Sequence, residues 1–262
     1  MEERPSTVEE PSSSLEVTAP VEVAAPVEPG AVMPLVDHLA ELRRRIIWSA
    51  LAIALGGVIG FVAGPAIIAF LSEPLKGLTT GPLVFTSMGD PFAIRLRISL
   101  VVGIILAMPV LLWHLWRFIA PGLTAKERRA ILPWIPAALF FFVLGVSIAY
   151  VILPFAAQFL LSFQTADLKA LLTVREYFDF VTTLFLAFGL LMEFPIILVG
   201  LSRVGIVTSE RLRRARRMTI LAIAVFSAIA TPGGDLVSPA VLGFTLYILF
   251  ELTTIVIRRS GR

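Results

Sequence analysis

The sequence of 262 residues has no cysteine and only two histidines, His38 and His114. The lack of cysteine excludes disulfides, thiol chemistry and cysteine-ligated metal sites. The two histidines lie far apart in the sequence and lack the close spacing of a metal-ligating pair. We therefore expect no metal site and no bound cofactor.

Charged residues are also scarce. They make up 16% of the chain, against about a quarter in a typical soluble domain. Hydrophobic residues make up 57%, and the mean hydropathy is +0.90. This composition predicts a polytopic membrane protein.

The sequence contains no P-loop lysine motif, no HExxH, no GxSxG and no cluster of carboxylates beside a histidine. We therefore expect that the chain is not an enzyme, that it contains no site for ATP-driven transport and that it has no nucleic-acid partner.

Negative charge is concentrated in the first 32 residues, which carry seven glutamates against one arginine, Arg4. This segment is rich in Pro, Glu, Ser and Val, so it buries too little apolar surface to offset its ordering entropy. We expect residues 1–32 to form a disordered acidic tail that either is idle in solvent or binds cargo, and the composition favours the idle tail. Its acidic start is unlike a signal peptide.

The rest of the chain contains charge-poor apolar runs that predict six membrane-spanning helices. Residues 130–166 carry no charge, which is too long for one span. We therefore expect a helix to about Phe155, followed by a loop or a helix that lies on the membrane. The predicted spans are residues 46–71, 98–116, 130–155, 178–201, 218–230 and 236–257.

The last two predicted spans are short. Each is at or below the ~20 residues that usually cross a bilayer, and TPGGD between them signals a tight turn. Residues 218–230 alone would also fit a re-entrant segment, but we prefer two short spans across a locally thinned bilayer. The predicted fold is an all-α membrane domain of six helices over residues 33–257, followed by a short basic tail at 258–262.

The distribution of Lys and Arg predicts the orientation. With six spans both termini lie on one side. Apart from Arg4 in the acidic tail, that side carries sixteen basic residues, against five on the other. The positive-inside rule then predicts a multi-pass protein of the plasma membrane with both termini in the cytoplasm. The sixteen are Arg43, Arg44, Arg45, Arg117, Lys126, Arg128, Arg129, Arg203, Arg211, Arg213, Arg214, Arg216, Arg217, Arg258, Arg259 and Arg262.

Two glutamates stand among these basic residues, Glu41 in HLAELRRR and Glu127 in FIAPGLTAKERR. Glu41 can form a helix-surface ion pair with Arg45, four residues later, or an anion site for a basic ligand. Glu127 can complete a capping box with Thr124 at a helix start, or serve the same binding role. Local spacing favours the structural interpretation of each. It does not explain why two carboxylates lie beside basic clusters on one face.

Two further glutamates lie inside predicted spans. Glu193 in LMEFP is an ionisable group at membrane depth, where an insertion cost of roughly 2.5–3.5 kcal/mol marks a functional group or a partner contact. Pro195, two residues later, is expected to kink the helix. Glu251 lies nearer the cytoplasmic end of the sixth span, so it can snorkel, pair with Arg258 or contact a partner, and a structural role is favoured.

Five motifs in order resemble the TatC family, the core subunits of the twin-arginine protein translocase. They are HLAELRRR, FIAPGLTAKERR, LMEFP, GIVTSERLRRARR and TPGGD, and TSMGDPF before the second span fits as well. The resemblance covers residues 34–257. It departs in the external turn, where Pro239 stands at a position that is often Gln in the family.

The resemblance implies that twin-arginine signal peptides bind at the cytoplasmic face, where Glu41 and Glu127 contact the two arginines. Arg43 would help to repel a wrongly placed basic ligand. Phe118 and Pro121 would form an apolar rim for the hydrophobic part of the peptide, and ordinary interfacial anchoring is the alternative for this rim.

The resemblance also implies partners. Glu193, with Glu251 as a second candidate, would meet the helices of single-span TatA-type and TatB-type subunits in the membrane. Asp235 matches an acidic position of the external turn, where turn chemistry is the local explanation. We also expect contacts with membrane lipids and with further copies of the chain, and export of folded cargo driven by the proton-motive force.

Two functions are therefore weighed. The first is a receptor and scaffold of the translocase. The second is a small secondary transporter that uses Glu193 as a proton or substrate site, which Pro- and Gly-interrupted helices would suit. Six spans without an obvious internal repeat argue against the transporter, because many transporter folds carry such repeats. The resemblance decides for the translocase.

Overall fold

The computed structural model describes residues 35–76, 78, 83–165, 171–231 and 235–259. The regular secondary structure of these ranges is helical, and an isolated parallel β-bridge joins Val84 and Thr173. The all-α prediction is therefore confirmed for the described ranges. The predicted acidic tail lies outside them, and so do residues 260–262 of the predicted basic tail.

The described part of the chain forms nine α-helices. Single-turn 3₁₀ segments follow the second and third of them. The helices are α1 (Leu35–Val62), α2 (Gly64–Ser72), α3 (Asp90–Ile119), α4 (Ala125–Ile131), α5 (Trp134–Leu161), α6 (Val174–Leu191), α7 (Phe194–Arg203), α8 (Ser209–Ala230) and α9 (Val237–Arg259).

Five helical segments are long and apolar enough to cross a membrane, and five of the six predicted spans overlap them. The remaining predicted span, residues 218–230, is the second half of α8, whose first half carries five arginines. The apolar part of α8 is thus shorter than a usual span. The count of six spans and the orientation of the termini stay predictions. The five segments are His38–Val62, Asp90–Gly122, Ala125–Leu161, Val174–Arg203 and Val237–Arg259.

The prediction of one continuous first span over residues 46–71 is wrong. α1 ends at Val62 and α2 starts at Gly64, because Pro65 lacks an N–H and its ring clashes with the carbonyl four residues earlier. That carbonyl belongs to Phe61. It accepts a hydrogen bond of 2.9 Å from Nε of Arg95 on α3, whose guanidinium carbon also lies 4.5 Å above the Phe61 ring.

Two predicted boundaries are also corrected. α3 begins at Asp90 rather than near residue 98, because the buried Asp90 carboxylate accepts hydrogen bonds from the N–H groups of Thr86 and Ser87 and fixes the helix start. α5 continues to Leu161 instead of ending near Phe155. Its last turns are helical because they bury small apolar side chains, such as Ala156, in the core.

The kink predicted at Pro195 takes the form of a break between two helices. α6 ends at Leu191 and α7 begins at Phe194, with Pro195 in its first turn. The missing N–H of Pro195 ends the hydrogen-bond ladder there. Glu193 therefore lies at the junction of two helices rather than inside a regular one.

Small residues allow close approach between helices. A Cβ on Gly103 of α3 would lie 2.5 Å from the carbonyl oxygen of Ile53 on α1. A Cβ on Gly145 of α5 would meet the carbonyl oxygen of Phe188 on α6 even more closely. In lipid, where association depends on packing rather than on a hydrophobic driving force, such contacts hold the bundle together.

α1 and α3 run in opposite directions, because the end of α1 meets the start of α3 at Phe61 and Arg95. His38 at the start of α1 and Phe118 at the end of α3 stack with ring centroids 4.3 Å apart. α4 packs against α7, whose end leads into the arginine-rich start of α8. We call this face the basic end. At the opposite end, the bridge between Val84 and Thr173 joins two connections.

We predict that Gly103→Ala destabilises the protein by about 1–3 kcal/mol, because the new methyl group overlaps backbone atoms of α1, which cannot rotate away. Unfolding of the purified protein in detergent measures this free energy. Gly200→Ala in α7 is the matched control, since no atom of the described chain outside the local helix backbone lies within 4 Å of a Cβ there. It should be neutral or stabilising by up to about 1 kcal/mol. Equal losses for both variants would contradict the close approach of α1 and α3.

Candidate functional site

Glu41 lies on the second turn of α1 at the basic end. Its Oε1 accepts hydrogen bonds from Nε and Nη2 of Arg45, the first at 3.1 Å. The ion pair predicted from the four-residue spacing is thus confirmed. Arg45 is only 8% exposed, so the pair is held within the protein surface rather than in solvent.

The second carboxylate oxygen of Glu41 differs from the first in its hydrogen bonding. Oε2 is buried and has no hydrogen-bond partner among the residues that the structure describes. A buried acceptor without a donor is unfavourable by about 1–3 kcal/mol, so such an atom calls for an explanation. The neighbouring Arg43 is exposed, and within the described residues it forms no ion pair with Glu41.

The ring contact between His38 and Phe118 brings the two predicted motifs together. The rings are nearly parallel, with an interplanar angle of 19°. Phe118 is half-buried, whereas Ile119 and Pro121 are exposed after it. The apolar rim predicted at Phe118 and Pro121 therefore lies at the same end of the bundle as Glu41.

Glu127 completes the predicted capping box at the start of α4. Its Oε2 accepts from the N–H of Thr124 at 3.0 Å and from the Thr124 hydroxyl at 2.8 Å, and the Glu127 N–H donates to that hydroxyl oxygen at 3.4 Å. The local prediction is confirmed here too. Both candidate carboxylates thus combine a local structural role with a position at the basic end.

Glu193 lies in the interior of the bundle. It is 8% exposed, follows the fully buried Met192 and occupies the junction between α6 and α7. Its Oε1 is buried and has no hydrogen-bond partner within the described ranges. A polar atom in this state at membrane depth marks a function or a contact that the isolated chain does not supply.

Pairing with Arg258, one of the alternatives considered for Glu251, is not formed in the structure. Glu251 instead forms an ion pair with Arg216 of α8, with 2.7 Å between Oε1 and Nη2. Arg216 also donates a 2.7 Å hydrogen bond to the hydroxyl of Tyr247, one turn before Glu251 on α9. This hydrogen bond, together with the Glu251 charge, raises the pKa of the Arg216 guanidinium. Glu251 therefore links α8 to α9.

Asp235 has the local role that turn chemistry suggests. It is 3% exposed, and its Oδ2 accepts a 2.6 Å hydrogen bond from the N–H of Ser238 in the first turn of α9. The bond satisfies one of the N–H groups that a helix start leaves free. Residues 232–234 of the predicted turn lie outside the described ranges.

A polar network that was not predicted from the sequence joins α3 and α6. Arg97 forms an ion pair with Asp179, and its Nε donates to the hydroxyl of Thr182 at 2.9 Å. These residues lie far apart in the chain, and no local spacing joins them. The signal available was only that each is a polar residue beside an apolar run.

Three comparisons with known proteins give one result. Residues 37–244 match the family model described as "Sec-independent protein translocase protein (TatC)". The chain is 35% identical to the protein of that name from Desulforapulum autotrophicum, over 87% of this chain and 86% of that protein. It is 37% identical to the one from Deinococcus radiodurans, over 87% of each.

Solved structures agree with the sequence comparisons. A crystal structure described as the "Twin Arginine Translocase Receptor- TatC in DDM" superposes with a TM-score of 0.74 at 36% identity. The match covers 84% of this chain and 99% of that one. A second crystal structure of a twin-arginine translocase receptor gives a TM-score of 0.73 at 34% identity, over 86% of this chain and all of the other.

Proposed function

Because the chain belongs to the TatC family of Sec-independent protein translocase proteins, we propose that it is the receptor and scaffold of a twin-arginine translocase. A subunit of this family serves membrane transport and is not an enzyme. In the proposal, the basic end faces the cytoplasm and binds twin-arginine signal peptides of folded cargo. The chain assembles with single-span TatA-type and TatB-type partners, and the proton-motive force drives export.

The observation that carries the proposal is the unpaired oxygen of Glu41. Arg45 occupies Oε1, whereas Oε2 is buried and has no partner among the described residues. A carboxylate offers about four lone-pair positions, so a second guanidinium can bind without displacing the first. A peptide arginine at Oε2 would relieve the unfavourable burial of that oxygen.

The chemistry favours arginine over lysine in the ligand. A guanidinium presents a rigid planar fork of donors that matches a carboxylate, whereas an ammonium is a compact point charge. Glu41 and Glu127 supply two carboxylates for two adjacent arginines. A diffuse acidic surface would accept either basic residue, and the many arginines around this site would repel a ligand that is not aligned with the carboxylates.

The apolar rim supports the binding of the rest of the signal peptide. Phe118 is anchored by the His38 ring, while Ile119 is 44% exposed and Pro121 is also exposed. These side chains follow each other between the end of α3 and the cap of α4. The hydrophobic segment that follows the arginines in a signal peptide would bury them.

Glu193 is the proposed contact for a partner helix. Its unpaired Oε1 at the break between α6 and α7 would accept or share a hydrogen bond with a polar group of a single-span subunit. The alternative, a small secondary transporter, would use the same carboxylate as its proton or substrate site. The family to which the chain belongs favours the partner contact.

We predict that Glu41→Gln weakens the binding of a twin-arginine peptide by about tenfold or more and abolishes its preference over a twin-lysine peptide, because the fork then lacks its charged partner. Peptide titration of the purified protein in detergent measures both. Glu210→Gln is the matched control, since Glu210 also faces an arginine four residues later, Arg214, at the basic end. It should leave both values unchanged. A retained preference in Glu41→Gln would refute the assignment.

For Glu127 we predict that binding and capping can be separated. Glu127→Gln keeps a capping box, which glutamine also forms, but removes the charge, so twin-arginine binding should weaken by about tenfold at unchanged stability. Thr124→Ala removes the cap and should lower stability by about 1 kcal/mol while the arginine preference is retained. Peptide titration measures the binding of both variants, and unfolding in detergent measures their stability. Loss of the preference in Thr124→Ala alone would assign a purely structural role to Glu127.

We predict that Glu193→Leu reduces crosslinking of a single-span partner by about tenfold, while Glu193→Gln retains most of it, because the amide still forms hydrogen bonds. Crosslinking in membranes measures the partner contact, and peptide titration should show no change in either variant. Uptake of a solute by the purified chain alone in liposomes, lost in Glu193→Gln, would favour the transporter instead.

A further inference from the structure

The arginines of α8 differ in what they contact. Three of them have partners within the chain. Nη1 of Arg211 donates to the carbonyl of Ile206 at 3.0 Å, and Arg214 lies 3.6 Å from the carboxylate of Glu210. Arg216 pairs with Glu251 and Tyr247, as described above. The charges of these three arginines are thus matched by groups of the same chain.

Arg213 of α8 and Arg258 of α9 are different. Both are exposed, and neither makes an ion pair or hydrogen bond in the described part of the chain. Both line a hollow of about 220 Å³ between the two helices, and both also line a second hollow of about 710 Å³ beside it. Arg217 and Arg259 are equally basic and exposed but line neither hollow.

The charge balance of these hollows favours an anion. The smaller hollow is lined by Arg213, Arg216 and Arg258 against one carboxylate, Glu251. Glu251 is already matched by Arg216, so two guanidiniums from different helices stay uncompensated. In the larger hollow the one carboxylate belongs to Glu210, which is the partner of Arg214.

The floor and the surroundings of the smaller hollow are apolar. Leu212 and Phe250 are 7% and 1% exposed at its base, and Ile255 lines its side. Exposed apolar side chains continue along both helices away from the basic end, including Leu252 on α9 and Met218 on α8. A ligand that fits both features carries a phosphate at one end and hydrocarbon at the other.

We propose that Arg213 and Arg258 bind the phosphate of an anionic phospholipid, whose acyl chain lies along the apolar surface of α8 and α9. Two guanidinium groups can donate hydrogen bonds to several oxygens of one phosphate at the same time, whereas a single surface cation acts as one point charge. The negative charge of the cytoplasmic leaflet supplies such lipids where basic segments meet the membrane. This site uses none of the residues proposed to bind signal peptides. It would fasten α8, whose apolar part is shorter than a usual span, to the bilayer surface.

The test is lipid binding to the full chain, purified and delipidated in detergent. Native mass spectrometry would measure the retention of phosphatidylglycerol and of phosphatidylcholine on the wild type, on Arg213→Gln/Arg258→Gln and on Arg217→Gln/Arg259→Gln. We expect the wild type to bind phosphatidylglycerol about tenfold more tightly than phosphatidylcholine. The first double variant should lose about tenfold or more, and the second should stay within about twofold, although both lose the same charge.

Two outcomes would overturn the proposal. Equal losses in the two double variants would mean diffuse attraction to a basic surface rather than a site. Displacement of phosphatidylglycerol by an excess of inorganic phosphate would mean that the hollow takes free phosphate and that the acyl chain contributes nothing. Because neither Arg213 nor Arg258 has an internal partner, the variants should unfold at the wild-type temperature. Twin-arginine peptide binding, measured on the same samples, reports independently on the proposed receptor function.

Discussion

The structure depends on one constraint, which is that a backbone polar group in lipid must be satisfied within the protein. Long uninterrupted helices meet this constraint by themselves, and the breaks need outside help. Pro65 frees the carbonyl of Phe61, and Arg95 from α3 donates to it across the helix pair. The break therefore ties α1 to α3 at one end, while the stacked rings of His38 and Phe118 tie them at the other. These two contacts fix where the start of α1, which carries Glu41, lies relative to the end of α3, which carries Phe118.

The same constraint sorts the charged side chains. Two ion pairs join charged side chains of different helices, Arg97 with Asp179 and Arg216 with Glu251. The first pair joins α3 to α6, and the second joins the consecutive helices α8 and α9. Buried oxygens without a hydrogen-bond donor in the described ranges include Oε2 of Glu41, Oε1 of Glu193, Oδ1 of Asp235 and Oγ of Ser238. The first two lie at the positions proposed for a peptide and for a partner helix, where a ligand would supply the missing donor. The other two lie beside the start of α9.

Local physics made part of this structure predictable from sequence. The ion pair of Glu41, the capping box of Glu127 and the kink at Pro195 each depend on residues within four positions of one another. The first two are confirmed, and the third takes the form of a helix break. Tertiary contacts were not predictable. The partner of Glu251 lies on α8 rather than one or two turns ahead on its own helix. Pro65 is a local signal for the break after α1, but the continuous apolar run around it favours a single span.

A local partner and a ligand are compatible roles for the same carboxylate. The bond from Arg45 to Oε1 holds the Glu41 side chain in one position, and the bonds from Thr124 hold that of Glu127. Side chains that are already ordered lose less conformational entropy when a ligand binds, so the internal contact favours affinity. The same contacts that make these glutamates look structural would therefore prepare them for a pair of arginines. This is why variants that separate charge from capping, rather than simple deletions, decide between the two roles.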